Sequence, residues 1–326
     1  MKSNNPTAFK YQDCAIPLIT VQENGKFEIN PEAVEMMESV KAPLGVVAVA
    51  GMYRTGKSYL LNRLLLNRKQ GFCVGPTINP CTKGIWIWGT PLKSFTEAGE
   101  PCHVVLVDSE GLGGLDEEQN HDMRVFSLAL LLSSYFIYNS MSQIDEGAIQ
   151  NLSLLVNLTN HIQTTVSPAN PTHSVGLHNY LPTFMWVVRD FALQLENEHG
   201  HTITDREYLE LALQQKGSSP ADPQNQIRTA LLNHFTRRDC CTMIRPLSDE
   251  SKLQRLEELE IEELRGEFVE QVLELRKKVL GRVPVKQMCG VPVDGATWAG
   301  LAKQYVSAFN EDRLPNIQSS WTYLVT

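Results

Sequence analysis

Eight residues, Gly51-Met52-Tyr53-Arg54-Thr55-Gly56-Lys57-Ser58, restrict the possible folds of this chain more than any other feature. They spell G-x-x-x-x-G-K-S, the Walker A pattern of a phosphate-binding loop. The local context agrees. Gly45–Ala50 is a short apolar, β-branched run that reads as a buried strand, and Tyr59–Leu65 reads as the start of a helix. In a strand–loop–helix unit of this kind, Gly51 and Gly56 let backbone N–H groups close around phosphate oxygens. The helix N-terminus adds partial positive charge and Lys57 a full one. The Ser58 hydroxyl is placed to ligate Mg²⁺. Thr55, Tyr53 and Tyr59 belong to the same cradle.

The rest of the chain extends this unit into an α/β fold of the P-loop NTPase type, a mainly parallel sheet flanked by helices. Ile85–Trp88, Val104–Val107, Ser134–Tyr138 and Phe184–Val188 read as strands. A helix from about Asp122 precedes the third of these. Gln143–His161 has helical periodicity, with Ile144, Ala148, Leu152, Leu155 and Leu158 on one face. Gly71–Cys81, rich in Gly, Pro, Thr and Asn, reads as a mobile loop, and Ser167–Tyr180, rich in Pro, His, Asn and Ser, as a loop. Asp249–Leu280 reads as a charged helix broken at Gly266, and Thr297–Asn310 as a last helix after a Pro/Gly linker. Strands alternating with helices imply the parallel sheet.

Composition narrows the function. The chain has 326 residues, 42% of them hydrophobic, enough for one large domain with a small appendage. A net charge of −8 argues against sequence-independent nucleic-acid binding, which needs many basic contacts. Seven scattered cysteines without a C-x-x-C pair point to a reducing, cytoplasmic setting and away from a disulfide frame or zinc site. The eight histidines show no metal spacing. Val125–Tyr138, the most apolar stretch, is too short to span a bilayer. Neither terminus has a signal or lipidation motif, so membrane attachment is expected only in a longer parent chain.

Ligands of open α/β sheets bind beyond the carboxyl ends of the strands. Three groups here directly follow a strand: the phosphate loop, Asp108-Ser109-Glu110-Gly111, and Arg189-Asp190. They are expected to meet on one sheet edge. Asp108 would hold Mg²⁺ as a Walker B carboxylate does, and the Gly111 N–H would reach a γ-phosphate. Thr82 either completes the Mg²⁺ shell when a γ-phosphate orders its loop or is an ordinary loop threonine. Arg54 is either an internal arginine finger or a solvated surface residue. Asp190 either accepts the ring N–H and amine of guanine or forms a strand-terminal ion pair. Adenine would leave such a carboxylate unpaired in a desolvated pocket. Arg189 would cover the base face. The usual N-K-x-D guanine motif is missing.

Taken in order, these residues resemble the guanylate-binding protein family of dynamin-like large GTPases. The resemblance runs through Gly51–Asn62, Thr82–Trp88, Asp108–Leu112, Leu130–Ser134, Tyr138–Ser140, Arg189–Phe191, Glu267–Val269, Tyr305–Asn310 and Leu314–Pro315. It implies Mg²⁺-dependent hydrolysis of GTP to GDP, with GMP as a second product in some members. It makes Arg54 the finger, Lys57 a catalytic cation, Thr82 a Mg²⁺ ligand and Glu110 part of the network around the attacking water. Arg189-Asp190 takes the place of N-K-x-D, with Asp190 as guanine reader. Leu247–Glu263 resembles the family's guanine cap, through which nucleotide-driven homodimers form head to head. The resemblance divides the chain into a G domain, 1–283, and a linker with the start of a helical domain, 284–326. One departure stands out: Pro80 occupies the place of a water-positioning serine, two residues before Thr82, and Cys81 that of a histidine. Competing expectations are a nucleotide-gated assembly module with slow hydrolysis, an atlastin-like membrane-fusion GTPase, and an ATPase in which Asp190 is only structural.

Overall fold

Leu44–Gly51 (β3) is buried at every residue, as a strand covered on both faces must be. Its side chains divide by the period of two. Val46, Ala48 and Ala50 enter one apolar core, Val47 and Val49 the other. The same alternation recurs along Pro101–Ser109 (β6), Tyr135–Met141 (β7) and Thr183–Arg189 (β8), which are therefore central strands between two helical layers. The computed structural model describes residues 10–74, 82–96, 98–113, 119–156, 158, 179–217, 219–281, 283–313, 315–317, 320 and 324.

The nine-stranded sheet runs in the order β2-β1-β4-β6-β3-β7-β8-β9, and β5 pairs with β6 beside this path. Here β1 is Ala15–Val21, β2 Phe27–Ile29, β4 Ile85–Trp88, β5 Leu92–Phe95 and β9 Arg238–Thr242. Strands β6, β3, β7, β8 and β9 are parallel; β1, β2, β4 and β5 pair antiparallel. One core packs α1 (Pro31–Glu38), α3 (Gln119–Leu132) and α9 (Gly295–Asn310) on the sheet. The other packs α2 (Lys57–Leu60), its π-helical continuation Leu61–Leu66, and α8 (Gly266–Leu280). This is the α/β architecture expected from the strand–helix alternation. The shorter helices are α4 (Glu146–Gln150), α5 (Asp205–Ala212), α6 (Pro223–His234) and α7 (Glu250–Leu253). Among the described residues, no helix is long and apolar enough to cross a membrane.

Several expectations need correction. Asp249–Leu280 is not one interrupted helix. After α7 the chain turns repeatedly, passes a 3₁₀ turn at Ile261–Glu263, and begins α8 at Gly266. Leu253, Leu256, Leu259 and Ile261 all face the core. Their spacing of three, three and two suits successive turns rather than a helical stripe. Between Gln143 and His161 the helix begins at Glu146, capped by Asp145, turns at Asn151 and Leu152, and resumes at Ser153. Leu152, Leu155 and Leu158 are nevertheless buried as the periodicity predicts. Pro80, Cys81 and most of the loop Ser167–Tyr180 lie outside the described residues.

The segment after α8 is built into the domain. Trp298, Leu301 and Tyr305 of α9 are buried in the same core as α1 and α3. At its end, the Asn310 amide takes both backbone groups of Phe27 on β2, donating to its carbonyl and accepting from its N–H at 2.8 Å each. Before β10 (Gln287–Met288) and β11 (Val291–Pro292), Lys286 is buried with its ammonium against the Ser133 and Tyr180 carbonyls, at 2.8 and 3.1 Å. Burial brings this lysine down to about 7. Between that value and an unfolded pKa near 10.4 the unfolded chain holds a proton that the folded chain lacks, so stability rises with pH across this window. Lys286→Met should flatten that rise. Urea unfolding from pH 6.5 to 10 measures it; parallel stability curves for the variant and the parent chain would refute the assignment.

Candidate functional site

The carboxyl ends of β3, β6 and β8 open on a cavity of about 480 Å³. Tyr53, Arg54, Gly56, Lys57, Ser58, Tyr59, Thr82, Gly111 and Arg189 line it; Gly51, Thr55, Asp108, Glu110 and Asp190 stand behind or beside this lining. The register explains the convergence. Val49 pairs with Asp108 and Gly51 with Asn139, so the phosphate loop leaves the sheet between two strand ends.

The loop is held from below. Asn139, fully buried at the end of β7, donates to the Thr55 carbonyl at 2.8 Å. A Cβ on Gly51 would lie 2.1 Å from the Asn139 carbonyl oxygen, so only glycine fits there. Lys57 starts α2 and points its ammonium back to the Met52 carbonyl at 3.1 Å. Burial lowers it to about 8, against the pull of Asp108 and Glu110. The Tyr53 N–H donates to the Leu112 carbonyl at 2.9 Å and the Leu112 N–H to the Gly51 carbonyl at 3.0 Å. The phosphate loop and the segment after β6 are thus one backbone-bonded unit. A Cβ on Gly111 would come within 2.4 Å of Tyr53 Cα.

Three oxygens meet at the centre. Asp108 Oδ2 accepts from the Ser58 hydroxyl at 2.6 Å and the Thr82 hydroxyl at 3.1 Å, and the two hydroxyls are 3.4 Å apart. Asp108 has no solvent exposure, and its Oδ1 has no hydrogen-bond partner. Burial raises its carboxyl to about 6, with Ser58, Lys57 and Thr82 pulling the other way. Glu110 is 3% exposed. Its Oε2 accepts from the Gly84 N–H at 2.7 Å and lies 3.1 Å from His121 Nε2.

At the other end of the cavity, Arg189 is buried and its guanidinium lies over Phe268, 5.7 Å from the ring centroid. A Cβ on Gly56 would lie 3.6 Å from its Nη1, so Arg189 packs against the phosphate loop. Its Nε and Nη1 are buried without a hydrogen-bond partner. Asp190 adopts a left-handed conformation, φ 54°, and its carboxylate lies 3.7 Å from Arg245 Nε. Arg54 is also left-handed, φ 63°, and exposed.

Part of Leu247–Glu263, the segment that resembles a guanine cap, completes the wall together with residues not singled out from the sequence. Glu250, Leu253, Gln254, Leu256 and Glu257 place the segment after α7 over the cavity. Arg63, from the π-helical turn behind the phosphate loop, donates to the Leu259 carbonyl and stacks near Tyr59. Lys69 pairs with Glu260. Cys73 lines the cavity and is disulfide-bonded, which the scattered cysteine spacing does not anticipate; Cys14, Cys102, Cys240, Cys241 and Cys289 are free thiols. His121 carried one overlooked signal. A histidine in the first turn of a helix is at the wrong end of the dipole, which favours cations at the C-terminus, so a nearby carboxylate is to be expected. Among the described residues no cluster of three His, Cys, Asp or Glu could hold a metal.

The comparisons with known proteins agree with this geometry. The family model described as guanylate-binding protein, N-terminal domain, matches residues 24–288. This chain belongs to the guanylate-binding protein family. It is 38% identical over 303 residues to human guanylate-binding protein 2, covering 91% of this chain and 50% of that protein. Human guanylate-binding protein 1 is 37% identical over 306 residues, with 91% and 50% covered. Human guanylate-binding protein 5 is 37% identical over 307, again with 91% and 50%. The chain therefore spans about half the length of the curated relatives it matches.

Arg63→Ala should loosen the wall over the cavity. A charged hydrogen bond to a carbonyl contributes about 1.5–3 kcal/mol, or roughly tenfold or more in local opening. Amide exchange in 254–263 should accelerate by that factor. Unchanged exchange would mean that the inward-facing leucines alone hold the segment.

Proposed function

We propose that this chain binds GTP in the cavity at the sheet edge and hydrolyses it to GDP, with GMP as a further product in view. The observation that supports this most is the convergence of the Ser58 and Thr82 hydroxyls on buried Asp108, beside Lys57, in a member of this family. Two hydroxyls and a carboxylate whose Oδ1 has no hydrogen-bond partner are the hard oxygen donors that suit Mg²⁺. Ser58, Thr82 and Asp108 would hold the ion, which when bound neutralises charge on the β- and γ-phosphate oxygens.

The protein's own groups supply the rest. The loop backbone from Gly51 to Ser58 binds the phosphates, with Gly56 in the left-handed conformation that opens α2 toward them. Lys57 gives its charge to the phosphates, and the Gly111 N–H bonds the terminal one. Glu110 orients the attacking water. Arg54, exposed on the loop, reaches the charge that develops in transfer. Asp190 accepts two hydrogen bonds from guanine, and Arg245 neutralises that carboxylate before the base arrives. Arg189 braces the loop rather than the base, because its guanidinium lies between Phe268 and Gly56.

We further read 1–283 as the G domain and 284–326 as linker and start of a helical domain, whose first helix, α9, packs into the core of the G domain itself. Homodimers would form when nucleotide orders Leu247–Glu263, drawing Arg54 into place. The test is turnover of GTP against ATP at several protein concentrations, with GDP and GMP separated. GTP-selective turnover whose specific rate rises with concentration is expected. Equal use of ATP would remove Asp190 as the base reader. Lys57→Ala should abolish tight GTP binding, measured by calorimetry; retained affinity would sink the site assignment. Arg54→Ala should keep binding and lower turnover by about 10³ or more. Unchanged turnover would return Arg54 to an ordinary surface residue.

A further inference from the structure

The first turn of α3 grips the segment after β6 at two points. His121 Nε2 lies 3.1 Å from Glu110 Oε2, and the next residue, Asp122, accepts the Gly113 N–H at 2.7 Å. These contacts bracket Gly111, the residue pressed against Tyr53 and Lys57. Glu110 is in turn bonded to Gly84 twice, through its Oε2 to the Gly84 N–H and through its own N–H to the Gly84 carbonyl at 2.8 Å. Gly84 lies two residues beyond Thr82 and opens β4. The His121 ring is held on its other side by Phe27, with centroids 5.9 Å apart and planes inclined at 38°. Phe27 is itself buried and fixed by Asn310.

We propose that His121 is a positioning residue for the reaction: it donates to Glu110 and fixes the direction of that carboxylate. The inference rests on the reading that Glu110 orients the attacking water. One hydrogen bond to a glutamate oxygen, such as that from the Gly84 N–H to Oε2, leaves the carboxylate able to turn about that contact among its rotamers. A second donor on the same oxygen, carried by a rigid helix and wedged against Phe27, removes that freedom. Either tautomeric or charged form with a proton on Nε2 makes this bond. Misplacing a catalytic group by about 1 Å can cost on the order of 10² in rate, so one hydrogen bond at this place has a large kinetic lever.

Two substitutions separate the hydrogen bond from the ring packing. His121→Phe keeps an aromatic ring against Phe27 and removes the donor. His121→Gln restores an amide N–H near the position of Nε2. His121→Phe should lower kcat roughly tenfold to a hundredfold, leave the Kd for a non-hydrolysable GTP analogue within about twofold, and speed amide exchange at Gly84. His121→Gln should recover most of both losses. A His121→Phe protein with kcat and Gly84 exchange like the parent chain would overturn the proposal. So would a His121→Gln protein as slow as the phenylalanine variant, since ring packing would then be the whole role. Glu110→Gln is assayed alongside. If it turns over at the parent rate, the reading of Glu110 fails; a slow Glu110→Gln beside a fast His121→Phe overturns only the role of His121.

Discussion

The site depends on one buried carboxylate. Asp108 ends up out of solvent because β6 pairs in parallel with β3 and both strands are covered on both faces. An ionised carboxyl in that position costs several kcal/mol unless it is bonded and opposed by charge. The chain meets that requirement with three groups from two places: Ser58 and the charge of Lys57 from the start of α2, and Thr82 from just before β4. Any change that tilts one of these elements leaves Asp108 exposed to the full penalty. Phosphate loop, sheet edge and approach to β4 therefore have to fold as a set.

The second constraint is mechanical. The phosphate loop is bonded through its backbone to Leu112, Leu112 lies between residues gripped by α3, and α3 packs against α9 in the same core. Arg124, one turn along α3 from His121, pairs with Asp312 just past α9. The residues around the proposed water site and the segment just past α9 thus contact the same helix. A helix is stiff over this length, so what α3 feels at one end is felt along it.

Much of this was legible in the sequence because it rests on short-range rules. The strand before the phosphate loop, the strands ending at Asp108 and Arg189, and the last helix all announce themselves by apolar runs or periodicity. Strands β1, β2, β5 and β9 do not. Arg238–Thr242 has no alternation to read, since as the edge strand it pairs on one side only. Ala15–Val21 contains Pro17 at a register shift, a residue that argues against a strand unless it lies at such an irregularity. The wall of the cavity reads as helix from its charged character, while the Arg63 contact that folds it back comes from almost two hundred residues away. Which groups His121 and Asn139 bond is illegible for a similar reason. Their partners, Glu110 and the Thr55 carbonyl, become neighbours only when β7 and α3 are in place.

Asn310 gives the fold a boundary. β2 is the outermost strand on its side of the sheet, and an outermost strand offers unpaired backbone groups to any extended peptide that meets it. Here the amide of one side chain occupies the N–H and carbonyl of Phe27 as a neighbouring strand would. The sheet is sealed at that residue by the end of α9. At that residue an added strand finds no free backbone group to pair with, so the exposed end of the sheet is closed by a side chain of the same chain.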